Sequence, residues 1–178
     1  MSGEGIPIGE RAPEFSLPDT NDSEQRLGDS GAPATVVYWT CNHCPYALAW
    51  HDRMLDASRD YDDRGVRFLG INSNDAERYP ADSPQAMRER VEADGGWPHP
   101  YLHDEGQDVA RAFGAQKTPD VFVLDGNLAL RYRGAPDADY DDPSQGAAWL
   151  RAALDAVLEG GPVEQAETDP VGCTIKWK

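Results

Sequence analysis

The sequence has little cysteine and little lysine. Its 178 residues include three cysteines, and three of its sixteen basic residues are lysine. No apolar stretch approaches the roughly 20 residues that a membrane-spanning helix needs. The first residues also lack a basic segment followed by an apolar one, so we expect no signal peptide. We therefore expect a cytoplasmic protein without a membrane partner, in which paired cysteines are more often catalytic or metal-binding than structural.

Negative charge dominates the composition, with 32 acidic residues against 16 basic ones and a net charge of −16. Such a chain repels nucleic acid and anionic membrane surfaces, so neither is expected as a partner. The acidic, lysine-poor composition resembles that of salt-adapted cytoplasmic proteins, although an ordinary acidic protein has the same balance. The length suits one domain over residues 1–178, with a single core.

Stretches with strand and helix character alternate along the chain. Turn-forming residues fill positions 11–31, which predicts an N-terminal hairpin-like segment. The last residues, 161–178, have too few apolar positions for a helix, and we expect an extended tail that docks on the surface. Between these segments the sequence predicts strands at 34–40, 66–72, 100–104 and within 120–134, and helices at 45–63, 83–95, 104–113 and 144–159. This order predicts an α/β fold with a mixed central sheet and helices on both faces.

Two cysteines lie three positions apart in "YWTCNHCP", directly after the first buried strand. Cys41 ends that strand, and Cys44 with Pro45 begins the long helix. At a helix N-terminus the unpaired N–H groups favour an anion, which lowers a cysteine pKa from about 8.5 to between about 3.5 and 7.5. We expect Cys41 to be the outer, attacking thiol and Cys44 to resolve the mixed disulfide.

His43 lies between the two cysteines and is a candidate catalytic residue. As an imidazolium it would stabilise the thiolate and make the disulfide a better oxidant. The alternative is an exposed loop histidine without influence on the sulfurs. We favour the first interpretation because His43 is close in sequence to both cysteines.

The cysteine motif and a later Thr118-Pro119 before a strand resemble the thioredoxin superfamily. Four further stretches narrow the resemblance to the redoxin, peroxiredoxin-like branch of this superfamily: "RAPEFSLPDT", "INSND", "TPDVFVLD" and "GCTIKWK". Proteins of this branch are relatives of the alkyl hydroperoxide reductase/thiol-specific antioxidant family that carry a thioredoxin-style cysteine pair. The resemblance implies a thioredoxin-like fold, a cis bond before Pro119, and a substrate groove shaped by Thr118 and Pro119. We also expect Asn42, between the cysteines, to contact the substrate. It also implies thiol–disulfide exchange without a cofactor, with disulfide or dithiol proteins and a reducing partner.

Two other functions stay open. Peroxiredoxins orient peroxide with the motif Pro-x-x-x-Thr/Ser-x-x-Cys, which neither cysteine completes: Cys41 is preceded by Tyr38 and Ala34 at those positions. A thiol without that polar cradle stabilises a breaking O–O bond poorly, so we expect slow peroxide reduction at most. A non-catalytic binding module that keeps the fold is the second alternative.

A zinc site is the metal alternative, with Cys41, Cys44, Cys173 and a histidine as ligands. A second closely spaced ligand pair is missing, so we expect no metal. We interpret Cys173 first as a small buried residue that anchors the tail. The alternative places it near Cys41 as a third redox thiol. The sequence does not indicate the oligomeric state.

Overall fold

The computed structural model describes residues 5–28 and 30–178. Residues 1–4, part of the predicted domain, and Asp29, part of the N-terminal segment, lie outside the described residues. The elements in the described part are β1 Phe15–Pro18, β2 Glu24–Leu27, β3 Ala34–Trp39, α1 Pro45–Asp62, β4 Arg67–Asn72, α2 Pro84–Ala93, β5 Tyr101–His103, α3 Asp108–Phe113, β6 Lys117–Thr118, β7 Asp120–Asp125, β8 Leu130–Gly134, α4 Ala148–Leu158 and β9 Cys173–Thr174. The predicted hairpin is present, because β1 pairs antiparallel with β2.

The central sheet contains five strands in the order β5-β4-β3-β7-β8. Its middle strand, β3, pairs parallel with β4 and antiparallel with β7. Every residue of β3 is buried, as its uninterrupted apolar sequence predicts. The sheet is therefore mixed, and β3 delivers Cys41 to the edge at which the parallel strands end.

Two apolar clusters cover the two faces of this sheet. Val36 and Tyr38 of β3 pack in the cluster that contains residues of α1 and α4. Val37 and Trp39 point to the opposite face, into the cluster that contains α3 residues and Leu27 of the hairpin. Helices on both faces confirm the predicted thioredoxin-like α/β architecture.

The helix after the cysteines runs from Pro45 to Asp62, close to its predicted end. Trp50 and Met54 are buried on its inner face, whereas Asp52 and Asp56 are exposed on the other. The helix is therefore amphipathic and lies against the sheet. Across the two described ranges, no helix combines the length and the apolar character that crossing a membrane requires.

Two predicted helix starts were wrong. The helix α3 begins at Asp108 and not at Asp104, because Gln107 has a left-handed backbone (φ 65°). Asp104 still caps it, since its carboxylate accepts the Ala110 N–H at 3.0 Å. The helix α4 begins at Ala148, since Gly146 and Ala147 both have positive φ and interrupt the predicted run.

The C-terminal tail is more integrated than a surface-docked segment. Cys173–Thr174 form β9, which pairs antiparallel with β6. Ile175 is 1% exposed and packs in the cluster that contains Trp39. The composition of the tail could not predict this, because each of the two short strands forms only by pairing with the other. The pairs Lys117–Thr174 and Thr118–Cys173 are 57 and 55 residues apart in sequence.

Candidate active site

The structure places the two cysteines where the sequence predicts them. Cys41 lies two residues after the end of β3. The backbone between them continues the strand pairing, because the Thr40 N–H donates to the Ile71 carbonyl at 2.9 Å. Cys44 is the N-cap of α1 and Pro45 is its first residue. The helix begins here because Pro45 needs no N–H partner and the Cys44 carbonyl accepts the Leu48 N–H at 2.9 Å.

Both sulfurs contact Thr118, and the three cysteines of the chain are free thiols. Cys41 Sγ accepts the Cys44 backbone N–H at 3.3 Å and lies 3.5 Å from the Thr118 hydroxyl. The Cys44 thiol donates to the Thr118 carbonyl oxygen at 3.3 Å. Both sulfurs belong to one buried cluster with Ala47. They are therefore adjacent, in a setting with donors for a thiolate.

The sequence predicts a lowered pKa for Cys41, the expected attacking thiol, whereas in the structure the lowered pKa belongs to Cys44. The pKa of Cys44 is lowered to about 4, first because the Cys41 thiol donates to it, with smaller contributions from Cys173 and Thr118. The pKa of Cys41 is raised, first by that same bond and then by burial and the nearby Asp82 carboxylate. The two sulfurs therefore titrate together and share one proton.

The exposure of Cys41 also differs from the prediction. We expected Cys41 to be the outer sulfur, but Cys41 and Cys44 are each 0% exposed. Tyr46 and Cys173 pack against them. The C-terminal tail is the physical reason, because β9 lies along Thr118 beside the sulfurs. Access to Cys41 therefore requires the tail to move.

The Thr118–Pro119 peptide bond is cis, as the resemblance implies. Thr118 is 1% exposed, and its backbone pairs with Cys173 of the tail. The segment that should bind an extended substrate is thus occupied by the chain's own strand. Substrate contact by Thr118 and Pro119 stays a prediction, which requires this pairing to open.

His43 contacts a buried carboxylate rather than a sulfur. Its Nδ1 lies 2.6 Å from Oδ2 of Asp82, and its ring stacks on Tyr79 with the centroids 5.7 Å apart. The approach is poorly aligned for a ring N–H, so the contact is electrostatic rather than a formed hydrogen bond. Asp82 also faces Cys41 electrostatically. Any influence of His43 on the thiols therefore acts together with Asp82.

Asp82 is a site residue that the sequence did not indicate. Its carboxylate is completely buried and accepts the Asn42 backbone N–H at 2.7 Å. It also accepts the side-chain amides of Asn72 and Asn74, each at 3.1 Å. These bonds hold the loop between the cysteines against the ends of the central strands. The only sequence signal was its position before the Ser83-Pro84 helix start.

Replacing Asp82 with asparagine is expected to lower the free energy of unfolding by about 1–3 kcal/mol. The reason is that the new NH₂ group takes the place of one carboxylate oxygen, and a buried N–H donor that bonded to that oxygen loses its acceptor. Urea denaturation followed by circular dichroism measures the change. The exposed Asp52 provides the matched control, since Asp52→Asn should leave stability unchanged within about 0.5 kcal/mol. Equal stabilities of the two variants would contradict the role given to Asp82.

Asn42 has a positioning role in this structure. Its amide nitrogen donates to the Ala81 carbonyl at 2.8 Å, and its oxygen accepts from Arg90 at 3.0 Å and Tyr101 at 2.8 Å. Arg90, which the sequence analysis missed, also donates to the Cys41 carbonyl at 2.8 Å. The side chain thus holds the loop, and substrate binding by Asn42 stays a prediction.

One group of possible metal ligands includes an active-site sulfur. Ligand atoms of Cys41, His43 and Asp82 all lie within 4.8 Å of one another. The zinc alternative in the sequence analysis had grouped Cys41 with Cys44 and Cys173 instead. Both Asp82 oxygens already accept amide hydrogen bonds, so the carboxylate is committed to the loop. We therefore derive no metal chemistry from this group.

Asp120 is a second buried carboxylate that the sequence analysis missed. It directly follows the cis proline, is 0% exposed, and accepts the Gln116 N–H at 3.0 Å. Its other oxygen has no hydrogen-bond partner among the described residues. Burial raises its pKa from 3.8 to about 7. Its position after Pro119 was the available signal.

The Asp120→Asn variant is expected to change the pH dependence of stability. The raised folded-state pKa means that the neutral carboxyl stabilises the fold fully below pH 3.8, and this contribution is lost as the pH rises through about 7. Between pH 5 and pH 8 the variant should gain about 2–3 kcal/mol relative to the wild type. Urea denaturation at both pH values checks this, and parallel profiles would contradict it.

Comparison with known proteins gives one family match and several relatives. Residues 8–133 match the model of the AhpC/TSA family. The thiol:disulfide interchange protein DsbE of Allochromatium vinosum is 29% identical over 126 residues, which cover 68% of this chain and 63% of DsbE. The alignment thus spans less than two thirds of that relative.

Solved structures agree on the fold. An uncharacterized conserved protein from Geobacillus kaustophilus has a TM-score of 0.89 and 42% identity, over 97% of this chain and 93% of that one. The thioredoxin domain of a thiol-disulfide oxidoreductase from Bacteroides vulgatus has a TM-score of 0.58 and 15% identity, over 71% and 86% of the two chains. The second likeness supports the thioredoxin-like fold alone.

Proposed function

The chain belongs to the AhpC/TSA family, and from this premise we propose that it is a thiol–disulfide oxidoreductase that works through Cys41 and Cys44. One observation carries the proposal: two free thiols lie together at the N-terminus of α1, and both contact Thr118. The DsbE relative is a thiol:disulfide interchange protein by name, which supports the proposed activity. Protein disulfides or dithiols and a reducing partner are the proposed partners.

The hydrogen bonds of the pair suggest how the thiolate reaches Cys41. The two sulfurs lie in one buried cluster and share one proton, which can pass from one to the other. When the proton is on Cys44, the Cys44 thiol donates to the Thr118 carbonyl at 3.3 Å. The Cys41 thiolate then accepts a hydrogen bond from the Cys44 backbone N–H at 3.3 Å. The helix N-terminus stabilises that charge as well.

The reaction consists of two exchanges. The Cys41 thiolate attacks one sulfur of a substrate disulfide, and the other substrate sulfur leaves as a thiolate that takes up a proton. Cys44 then loses its proton and attacks the Cys41 sulfur, which breaks the mixed disulfide and releases the second substrate thiol. The substrate gains two electrons, and the pair becomes a Cys41–Cys44 disulfide.

Reduction of insulin disulfides with dithiothreitol as the electron source tests the proposal. We expect the protein to accelerate insulin reduction over dithiothreitol alone. In a parallel assay with hydrogen peroxide as the oxidant, consumption should stay near the background rate. The reason is that Tyr38 and Ala34 stand where the peroxiredoxin motif places its hydroxyl and proline, so the thiolate lacks the polar cradle for a breaking O–O bond.

The same two assays separate the alternatives. Fast peroxide consumption without insulin reduction would replace the proposal with a thiol peroxidase. No acceleration in either assay, with both thiols unreactive at neutral pH, would support a non-catalytic binding module. Acceleration of insulin reduction alone supports the oxidoreductase.

A further inference from the structure

We propose that Cys173 is a third redox thiol, which exchanges into the Cys41–Cys44 disulfide to form a Cys44–Cys173 disulfide and so ties the C-terminal strand over the active site. The inference rests on the proposed dithiol chemistry and extends it to the tail. It assigns the tail a function, as a covalent cover that forms and opens with the redox state.

The pairing of two short strands brings Cys173 to the site. In the antiparallel register of β6 and β9, Thr118 stands opposite Cys173. Thr118 is also the residue that contacts both other sulfurs. Cys173 accordingly packs against the buried cluster of Cys41, Cys44 and Ala47. All three thiols of the chain therefore meet at one place.

The tail is held closely on both sides of Cys173. A Cβ atom at Gly172 would lie 2.2 Å from the Thr118 carbonyl oxygen and 3.2 Å from the Pro119 nitrogen, so only glycine permits this approach. On the other side, Ile175 is buried and its N–H donates to the Gln116 carbonyl at 3.0 Å. These contacts fix the position of the Cys173 thiol.

Contact and access distinguish Cys173 from an inert buried cysteine. Cys173 packs against the cluster that contains Cys44 and interacts electrostatically with the Cys44 thiol, which points to Cys44 as the sulfur within reach. Cys173 is also partly exposed, whereas the other two cysteines have no exposed surface. The pKa of Cys173 is raised to about 11, first by burial and then by its interaction with the Cys44 thiol.

The exchange is balanced without a further oxidant. Cys173 loses its proton and attacks the Cys44 sulfur of the Cys41–Cys44 disulfide. The Cys44–Cys173 bond forms, the Cys41–Cys44 bond breaks, and Cys41 leaves as a thiolate that takes up a proton. The protein stays oxidised by two electrons, which the original disulfide substrate removed.

The new disulfide closes the site around a free Cys41. It links β9 to the N-terminus of α1 while β9 stays paired with β6. An extended substrate cannot then reach the Thr118 backbone. The oxidised protein thus protects Cys41 from a second substrate until a reductant opens the cover.

The Cys41→Ser variant isolates the proposed bond, because Cys44 and Cys173 are then its only thiols. The intact variant is incubated with oxidised glutathione, blocked with iodoacetamide and digested with trypsin. Cys44 lies in the tryptic peptide 27–53 and Cys173 in the peptide 152–176. We expect loss of both free thiols and a disulfide-linked pair of these peptides. Wild-type protein oxidised in the same way should contain the linked pair as well.

A matched control moves the third thiol by one residue. In Cys41→Ser/Cys173→Ser/Thr174→Cys, the thiol lies on the opposite face of β9, since side chains alternate along a strand. This variant should take up glutathione and give no linked peptides. Equal linking in both variants would overturn the proposal, because any tail thiol would then suffice.

The outcomes separate this inference from the proposed function. The Cys173→Ser variant retains Cys41 and Cys44, and its disulfide stays inside peptide 27–53. If that disulfide forms while Cys41→Ser carries only glutathione adducts, the role of Cys173 is overturned and the proposed function stands. If Cys173→Ser forms no disulfide, the proposed function fails first. Circular dichroism confirms that each variant is folded.

Discussion

Replacing Cys41 with serine in a Cys173→Ser background is expected to slow insulin reduction at least about 1000-fold, since removal of a nucleophile removes the main part of a covalent mechanism. The background matters because Cys173 contacts the pair. The matched parent, Cys173→Ser, keeps both Cys41 and Cys44, and the loss is measured against the rate of this parent.

The partner substitution tests the order of the two exchanges. With Cys44 replaced by serine in the same background, Cys41 still attacks but no thiol resolves the product. A mixed disulfide between Cys41 and the substrate should accumulate, and non-reducing electrophoresis with peptide mapping detects it. If the mixed disulfide instead accumulates on Cys44 in the Cys41→Ser variant, and none accumulates on Cys41 in the Cys44→Ser variant, Cys44 is the attacking thiol.

Weakening the docking of the C-terminal tail is expected to expose Cys41 and Cys44 and to raise their alkylation rate strongly. Ile175 is 1% exposed in the apolar cluster, so Ile175→Ala removes about 2–5 kcal/mol of tail docking. At about 1.4 kcal/mol per factor of ten, iodoacetamide should alkylate the active-site pair about 30- to 4000-fold faster. Ionisation does not limit the alkylation of Cys44, because its pKa is already lowered to about 4.

Val171 supplies the control for this experiment. It lies in the same tail and is 42% exposed, so Val171→Ala should leave the alkylation rate unchanged. Rates are read from the mass of the tryptic peptide that spans residues 27–53. Equal rates for Ile175→Ala and Val171→Ala would show that the tail does not cover the sulfurs. Urea denaturation of both variants separates tail opening from global unfolding.

Local patterns predicted the parts of the site that depend on neighbours in sequence. An apolar run buries β3, and Cys44 with Pro45 carries the signals of a helix start, so the positions of both cysteines followed. The resemblance added the cis bond at Thr118–Pro119. These features need no knowledge of distant contacts.

The missed parts depend on residues far apart in the chain. The Asp82 carboxylate reaches Asn42 across 40 positions, and Arg90 reaches the Cys41 carbonyl across 49. Neither residue belongs to a motif. The burial of Cys41 followed from β9, a strand of two residues that exists through its pairing with β6. Its own propensity is too weak to predict it.

The difference in ionisation has the same origin. Sequence position at the mouth of α1 predicts a stabilised thiolate, but both sulfurs lie there and only one proton is lost. Which sulfur keeps that proton depends on Asp82 beside Cys41 and on Cys173 beside Cys44. Both neighbours arrive through tertiary contacts.

The most direct test of the central claim is a redox titration of the Cys173→Ser variant against glutathione buffers, with the disulfide located by tryptic mapping. We predict one reversible two-electron transition, with a tenfold change in the oxidised-to-reduced ratio for about 30 mV, and a disulfide between Cys41 and Cys44. Two thiols that stay free at every potential, or that take up glutathione separately, would contradict it.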